Sequence, residues 1–231
     1  MRLLDANTLE KSAVVANCRM NRERTLTGSN GYSCDLGFNP VAFLEAKSNG
    51  REQISWLDLC CGSGRALVEA AQIAHCQGWA TNVKIVGVDL VRAFVRPEPA
   101  SRCLRFVQAS LSAWKPDRQF DLVTCVNGLH YIGDKLGMIA RAVSWLSDDG
   151  LFAANLDLSN CKFLDGRSAS RIVSAEFRRN TLQYRSRRKL LTCEGRRAVK
   201  FPFRFVGADD EAGPNYTGQP AVDSYYERLP P

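Results

Sequence analysis

Between residues 54 and 156, short apolar runs alternate with stretches of helical periodicity, and this rhythm limits the possible folds more than any other feature of the chain. Ile54 to Leu59, Val83 to Leu90, Leu104 to Ala109, Phe120 to Val126 and Leu151 to Leu156 have the length and content of strands. Gly64 to Gln77 places Leu67, Ala70, Ala71 and Ala74 on one helical face, and Leu136 to Leu146 reads as a second helix. Strands that are apolar along their whole length are buried on both faces. That condition is met by a parallel sheet with helices on each side.

The rhythm changes after residue 158. Ser168 to Arg179 reads as a helix with Ile172, Val173 and Phe177 inward. Thr181 to Thr192 and Ala198 to Val206 flank Glu194-Gly195-Arg196, a β-hairpin signal. The expected fold is therefore α/β, a doubly wound and mostly parallel seven-stranded sheet closed by a C-terminal antiparallel hairpin. Residues 1–53 form a helical cover. In it, Asn7 with Glu10 resembles a capping box for a helix from Thr8 to Met20, and Asn39-Pro40 opens a helix to Ala46 that stops at Asn49-Gly50. Residues 54–206 form the core. Residues 207–231, rich in Gly, Pro, Asp and Tyr, are expected to be loop and a candidate substrate lid. The three parts make one folded unit.

Charge and cysteine content narrow the functional classes. The net charge is +7. Residues 161–204 hold 13 Lys and Arg against 3 Asp and Glu, while the rest of the chain holds 18 basic and 21 acidic residues. The body is thus nearly neutral and one segment is basic. Within it, strand alternation puts Arg185, Arg187 and Lys189 on one face. Nine scattered cysteines include no C-x-x-C pair, and only His75 and His130 could join them, so no metal site is expected. Unpaired cysteines suit a reducing compartment. No membrane-length apolar run or secretory leader is evident, so a cytoplasmic location is expected.

The chemistry concentrates at the carboxyl ends of the strands, where open α/β sheets bind ligands. Asp58-Leu59-Cys60-Cys61-Gly62-Ser63-Gly64 is a strand-to-helix junction whose glycines allow close backbone approach to a ligand. It lacks the Gly-Lys-Ser/Thr of a P-loop, and Leu67 stands where a dinucleotide fingerprint needs its third glycine. Asp89 ends the second strand and can accept hydrogen bonds from ribose hydroxyls. Ser110 follows the third strand and Asn127 the fourth.

In the order of these motifs, residues 54–206 resemble the class I S-adenosylmethionine-dependent methyltransferases. Asp58 to Gly64 is similar to the family's first motif, with Cys60 where glycine is usual. Asp89 matches the ribose-binding acid, and Ser110 stands where many members place an aspartate against the adenine amino group. The resemblance implies S-adenosylmethionine as cofactor and S-adenosylhomocysteine as product, without a metal. The cofactor-binding residues it implies are Tyr32, Asp58, Cys60, Cys61, Gly62, Gly64, Asp89, Leu90, Ser110, Leu111 and Asn127. Tyr32 would close over the cofactor as N-terminal segments do in similar enzymes.

His130 and Tyr131 follow Asn127 and are expected to face the methyl group, His130 as a base and Tyr131 as a wall. Asp157, after the fifth strand, is expected to orient an amine acceptor or a base. The expected function is methyl transfer to an oxygen or nitrogen of a small molecule or a peptide-like natural product. One alternative is an RNA or protein methyltransferase using the basic 185–200 face. It is disfavoured by the lack of interleaved aromatics there and of Asn-Pro-Pro-Tyr after the fourth strand. Another is a non-catalytic cofactor-binding regulatory domain. No membrane partner is expected.

Overall fold

The structure is a computed structural model that describes residues 2–16, 23–48, 51–96 and 102–230. Its central element is a seven-stranded sheet. The strands are β1 (Ile54–Leu59), β2 (Val83–Asp89), β3 (Leu104–Gln108), β4 (Phe120–Cys125), β5 (Leu146–Asn155), β7 (Gln183–Arg185) and β8 (Leu190–Glu194), in the spatial order β3-β2-β1-β4-β5-β8-β7. The first five run parallel, and β8 is antiparallel to both β5 and β7. The order reverses between β1 and β4. A crevice opens there at the strands' carboxyl ends, the usual place for a ligand in such a sheet.

The apolar runs are explained by two cores, one on each face. Ile54, Trp56 and Leu122 point to one side and pack with Leu67, Ala70, Ala71 and Ala74 of α5 (Arg65–Cys76). The same side receives Tyr32 and Leu36 of α3 (Tyr32–Leu36) and Leu44 of α4 (Pro40–Ser48). Leu57, Leu59, Val123 and Cys125 point to the other side, against Ile139 and Val143 of α6 (Lys135–Ser144) and Phe177 of α7 (Ser170–Arg179). Alternate residues of one strand thus serve opposite cores, so β1 and β4 are wholly buried and mostly apolar, with Ser55, Asp58, Asp121 and Thr124 as their buried polar residues.

Several elements depart from expectation. The N-terminal helix is two short pieces, α1 (Ala6–Glu10) and α2 (Ala13–Ala16). Its cap is Asp5, whose carboxylate accepts from the Thr8 amide at 2.9 Å, not Asn7. The rest of that expected helix, and the stop at Asn49-Gly50, lie outside the described residues. The fifth strand begins earlier than expected, at Leu146, and Asp148, Asp149 and Gly150 lie inside it as a bulge, because Phe120 pairs with Leu146 and Leu122 with Leu151.

The hairpin is also composed differently. It joins β7 to β8 through a 3-10 turn at Ser186–Arg188, and Lys189 has φ +50. That turn breaks the alternation that would have aligned Arg185, Arg187 and Lys189. Since β8 is paired on both edges, it has no edge left for residues 198–206. The chain instead forms β9 (Phe203–Asp209), which pairs antiparallel with β10 (Asp223–Arg228). With β6 (Cys161–Phe163), parallel to β10, they make a second, three-stranded sheet in the order β6-β10-β9. The C-terminal segment is therefore part strand, with Tyr225 and Tyr226 buried. Its middle, between β9 and β10, is a loop.

Candidate active site

The loop after β1 is shaped by three left-handed residues, Cys60 (φ +57), Gly62 (φ +61) and Gly64 (φ +73). At Gly64 a β-carbon would lie 2.2 Å from the ring of Phe106, so glycine is required by both backbone and space. Asp89, at the end of β2, holds this loop. One carboxylate oxygen accepts from the Gly62 amide and the other from the Val91 amide, each at 2.9 Å. Asp89 also lines the smaller of the cavities at this end of the sheet.

Two adjoining cavities open at this end of the sheet. The smaller, about 70 Å³, is lined by Cys60, Gly62, Asp89, Leu90 and Asn127 among others. The larger, about 310 Å³, adds Leu111, Ser112 and Ile132 and shares Cys60, Leu90 and Tyr131 with the first. Glu10 of α1 also lines it and accepts from the Ser110 hydroxyl at 2.6 Å. Ser110 thus ties the N-terminal cover to the end of β3.

The expected cofactor residues divide into two groups. Gly62, Asp89, Leu90, Leu111, Asn127 and Cys60 line these cavities. Asp58 and Tyr32 sit behind the loop. The Tyr32 hydroxyl donates to Asp58 at 2.7 Å, and Thr124 donates to the other carboxylate oxygen. Trp56 in turn donates to Thr124 at 2.7 Å. Burial raises the Asp58 carboxyl to about 7, against those two hydrogen bonds. Cys61 is buried and burial pushes its thiol up, which makes it a packing residue of the β1–α5 joint. The Cys60 thiol is raised by its hydrogen bond to Cys125 and by burial.

Asn127 is fully buried at φ +55 and joins the cavities to a second polar cluster. Its amide N–H faces the Asn155 side-chain oxygen at 3.3 Å. Its Nδ2 donates to Asp35 at 3.3 Å, and its Oδ1 accepts from the Tyr216 hydroxyl at 3.2 Å. Asp35 is paired with Arg24, and its backbone oxygen accepts from Asn155. Burial raises the Asp35 carboxyl despite Arg24 and Asn127.

His130 lies in the 3-10 turn Gly128–Tyr131, has no exposed surface, and neither ring nitrogen has a hydrogen-bond partner among the described residues. Burial, reinforced by Lys135, drives its pKa down to about 3, with Asp157 opposing. Its ring meets Tyr216 edge-on at 5.5 Å between centroids. Asp157 caps a second 3-10 turn through the Ser159 amide and pairs with Lys189 at 3.0 Å. Burial would raise this carboxyl, but the bonds from Lys189 and Ser159 prevail and hold it below the usual range. Arg24, Asp35 and Lys189 were not expected here. Lys189 belongs to the basic run and Asp35 to a short helix, and neither carries a local motif that would mark it.

The model of the methyltransferase domain family matches residues 37–193, more than half of the chain. The chain belongs to this family. Its Rossmann-like class I fold is the one described above. Among solved structures, a methyltransferase from Geobacter sulfurreducens with S-adenosyl-L-homocysteine is 19% identical over 49% of this chain and 46% of its own, with a TM-score of 0.36. The glycopeptide N-methyltransferase MtfA is 22% identical over 50% and 51%, with a TM-score of 0.37. The plantazolicin methyltransferase BpumL, with a triazolic desmethylPZN analog and S-adenosylhomocysteine, is 14% identical over 52% and 45%, with a TM-score of 0.38. The chain spans about half the length of these solved proteins. No curated protein matches it in sequence.

The residues at this end of the sheet fit S-adenosylmethionine as cofactor. The left-handed Cys60–Gly64 loop would take its amino-acid end, Asp89 would meet the ribose hydroxyls, and the larger, mostly apolar cavity beside Leu90 and Leu111 would take the adenine. Among the described residues, no group of His, Cys, Asp and Glu is arranged to hold a metal ion. No helix there is long and apolar enough to cross a membrane.

Proposed function

We propose that this chain transfers a methyl group from S-adenosylmethionine to an oxygen or nitrogen of a small molecule or peptide-like natural product. The observation that carries this is the position of Asn127. It lines the smaller cavity on one side and meets Asp35, Asn155 and Tyr216 on the other. A methyl donor in the cavities would present its reactive end toward that second cluster.

When bound, the cofactor supplies an electrophilic methyl on a sulfonium, and the protein's part is alignment and exclusion of water. Asp89 and the Cys60–Gly64 loop hold the donor's position. Asn127, pinned through Asp35 and Asn155, sets the far wall. His130, held neutral, accepts a hydrogen bond from the acceptor and is not a resident store for its proton. Asp157 keeps Lys189 in place, which draws one residue of the basic run into the site. The loop between β9 and β10 covers the acceptor side as a lid, and enclosure of this kind favours a modest acceptor over an extended nucleic-acid backbone.

Transfer of labelled methyl from S-adenosylmethionine, assayed over panels of small phenols and amines, short peptides and RNA, tests the reading. Labelling of RNA alone, or release of no S-adenosylhomocysteine with any acceptor, would overturn it.

A further inference from the structure

We infer that the Tyr216 side chain occupies the acceptor's place, and that the acceptor exchanging with it is an aromatic ring carrying a hydroxyl or N–H donor. This rests on the reading above, in which the acceptor meets the methyl group beside Asn127.

Tyr216 is held as a ligand would be held. Its hydroxyl donates to Asn127 Oδ1 at 3.2 Å. The orientation of that amide is fixed, because its other end donates to the Asp35 carboxylate, which can only accept. The ring lies edge-on to His130, with centroids 5.5 Å apart at 71°. The Lys189 ammonium stands 6.0 Å from the ring centroid, itself fixed by Asp157. All three contacts are made to a ring and a donor, and none is to the backbone of the loop.

Tyr216 is nevertheless 45% exposed, so the fold gains little from it as a core residue. Beneath it, both nitrogens of His130 are buried without hydrogen-bond partners among the described residues. Such groups are costly unless something pairs with them. The Tyr216 hydroxyl is spent on Asn127, and the backbone oxygen of His130 is taken by the Val222 amide. A bound molecule with an N–H or O–H in the plane of its ring would serve Asn127 or the imidazole, while its π face would meet Lys189.

The loop is built to release the side chain without unravelling. Ala221 donates to the Gly213 oxygen at 3.1 Å, Asn215 to Gln219 at 2.8 Å and Gly218 to Asn215 at 2.9 Å. The Asn215 side chain accepts from both the amide and hydroxyl of Thr217. Gly213 and Gly218 have φ of +86 and +77 with open space around them. Next to the loop, Lys135 holds the Val222 oxygen at 2.7 Å. The loop can therefore tilt as a unit from a fixed base.

The test uses p-cresol as a stand-in for the Tyr216 side chain, titrated into protein saturated with S-adenosylhomocysteine. Tyr216→Ala should bind p-cresol at least tenfold more tightly than the wild type. Tyr216→Phe, which keeps the ring but loses the hydroxyl bond to Asn127, should fall between the two, and 4-methylcyclohexanol should not replace p-cresol. S-adenosylhomocysteine affinity should be the same in all three proteins. Cofactor binding without any gain of p-cresol affinity in Tyr216→Ala, or with equal affinity for 4-methylcyclohexanol, would overturn this inference alone. Failure of all three proteins to bind S-adenosylhomocysteine would remove the methyltransferase reading and this inference with it.

Discussion

The ends of β1 and β2 and the ends of β4 and β5 lie side by side in one sheet but are organised differently. The first pair forms its site from backbone. Cys60, Gly62 and Gly64 take left-handed conformations within five residues, and Asp89 grips the turn through amide groups. The second pair forms its site from side chains brought from remote parts of the chain: Arg24 and Asp35 from the cover, Asn127 and Asn155 from the strand ends, Lys189 from the hairpin and Tyr216 from the C-terminal loop. A backbone site suits whatever is common to a family of reactions, as the proposed cofactor would be. A side-chain site can be changed one residue at a time, and that is where acceptor choice belongs.

The contrast can be broken with glycines. Gly64→Ala forces a β-carbon into Phe106 at an unfavourable φ, and should cost about 2–4 kcal/mol and abolish cofactor binding. Gly213→Ala, in the loop over the acceptor side, meets no neighbour and should cost only the strain of its left-handed φ, about 1–2 kcal/mol, with cofactor binding kept. Chemical denaturation compares them, and equal losses would contradict the division drawn above.

A smaller effect tests how the acceptor side is anchored. Lys135 is fully buried, and burial lowers its pKa to about 8. It donates to the Ile132 oxygen at 2.9 Å, the Val222 oxygen at 2.7 Å and the Ser224 hydroxyl at 2.8 Å. Lys135→Met leaves these acceptors unpaired, and should cost about 2–3 kcal/mol. Hydrogen exchange should quicken along β10 while β1 and β2 stay protected. Uniform quickening over the whole sheet would argue that the two halves are not separable.

The pH dependence should also differ between the halves. His130, on the acceptor side, titrates at about 3 instead of 6.5, chiefly through burial. Its contribution to stability is fully present above pH 6.5 and is lost as pH falls toward 3, since the unfolded chain takes up the proton first. Asp58, behind the cofactor loop, is raised by burial from 3.8 to about 7. Its contribution is present below 3.8 and is lost as pH rises toward 7. The two slopes oppose each other between about pH 4 and 6.5. In Asp58→Asn, stability should therefore rise more steeply with pH across that window. An NMR titration should leave the His130 imidazole neutral at pH 5, and a His130 midpoint near 6.5 would contradict its burial among cations.

The same contrast explains what was legible in the sequence. The alternation of β1 to β5 with α5 and α6 could be read because each element's burial pattern is local. The Cys60–Gly64 turn and Asp89 could be read because they sit at fixed offsets from strand ends. The hairpin partner was misplaced because pairing is not local. Nothing in residues 198–206 says that β8 already has neighbours on both edges. β10 was missed because Tyr225 and Tyr226 lie among turn residues and the strand needs β9 to exist. Asp35 and Lys189 carry no motif, and only the folded chain brings them to Asn127 and Asp157.

The central claim is that the crevice at the ends of β1, β2 and β4 holds the methyl donor. Calorimetric titration of S-adenosylhomocysteine into the wild-type protein and Asp89→Ala tests it most directly. The expected result is a saturable one-to-one complex for the wild type, weakened at least tenfold in Asp89→Ala. No binding to the wild type up to millimolar ligand, or equal affinity in the two proteins, would contradict it.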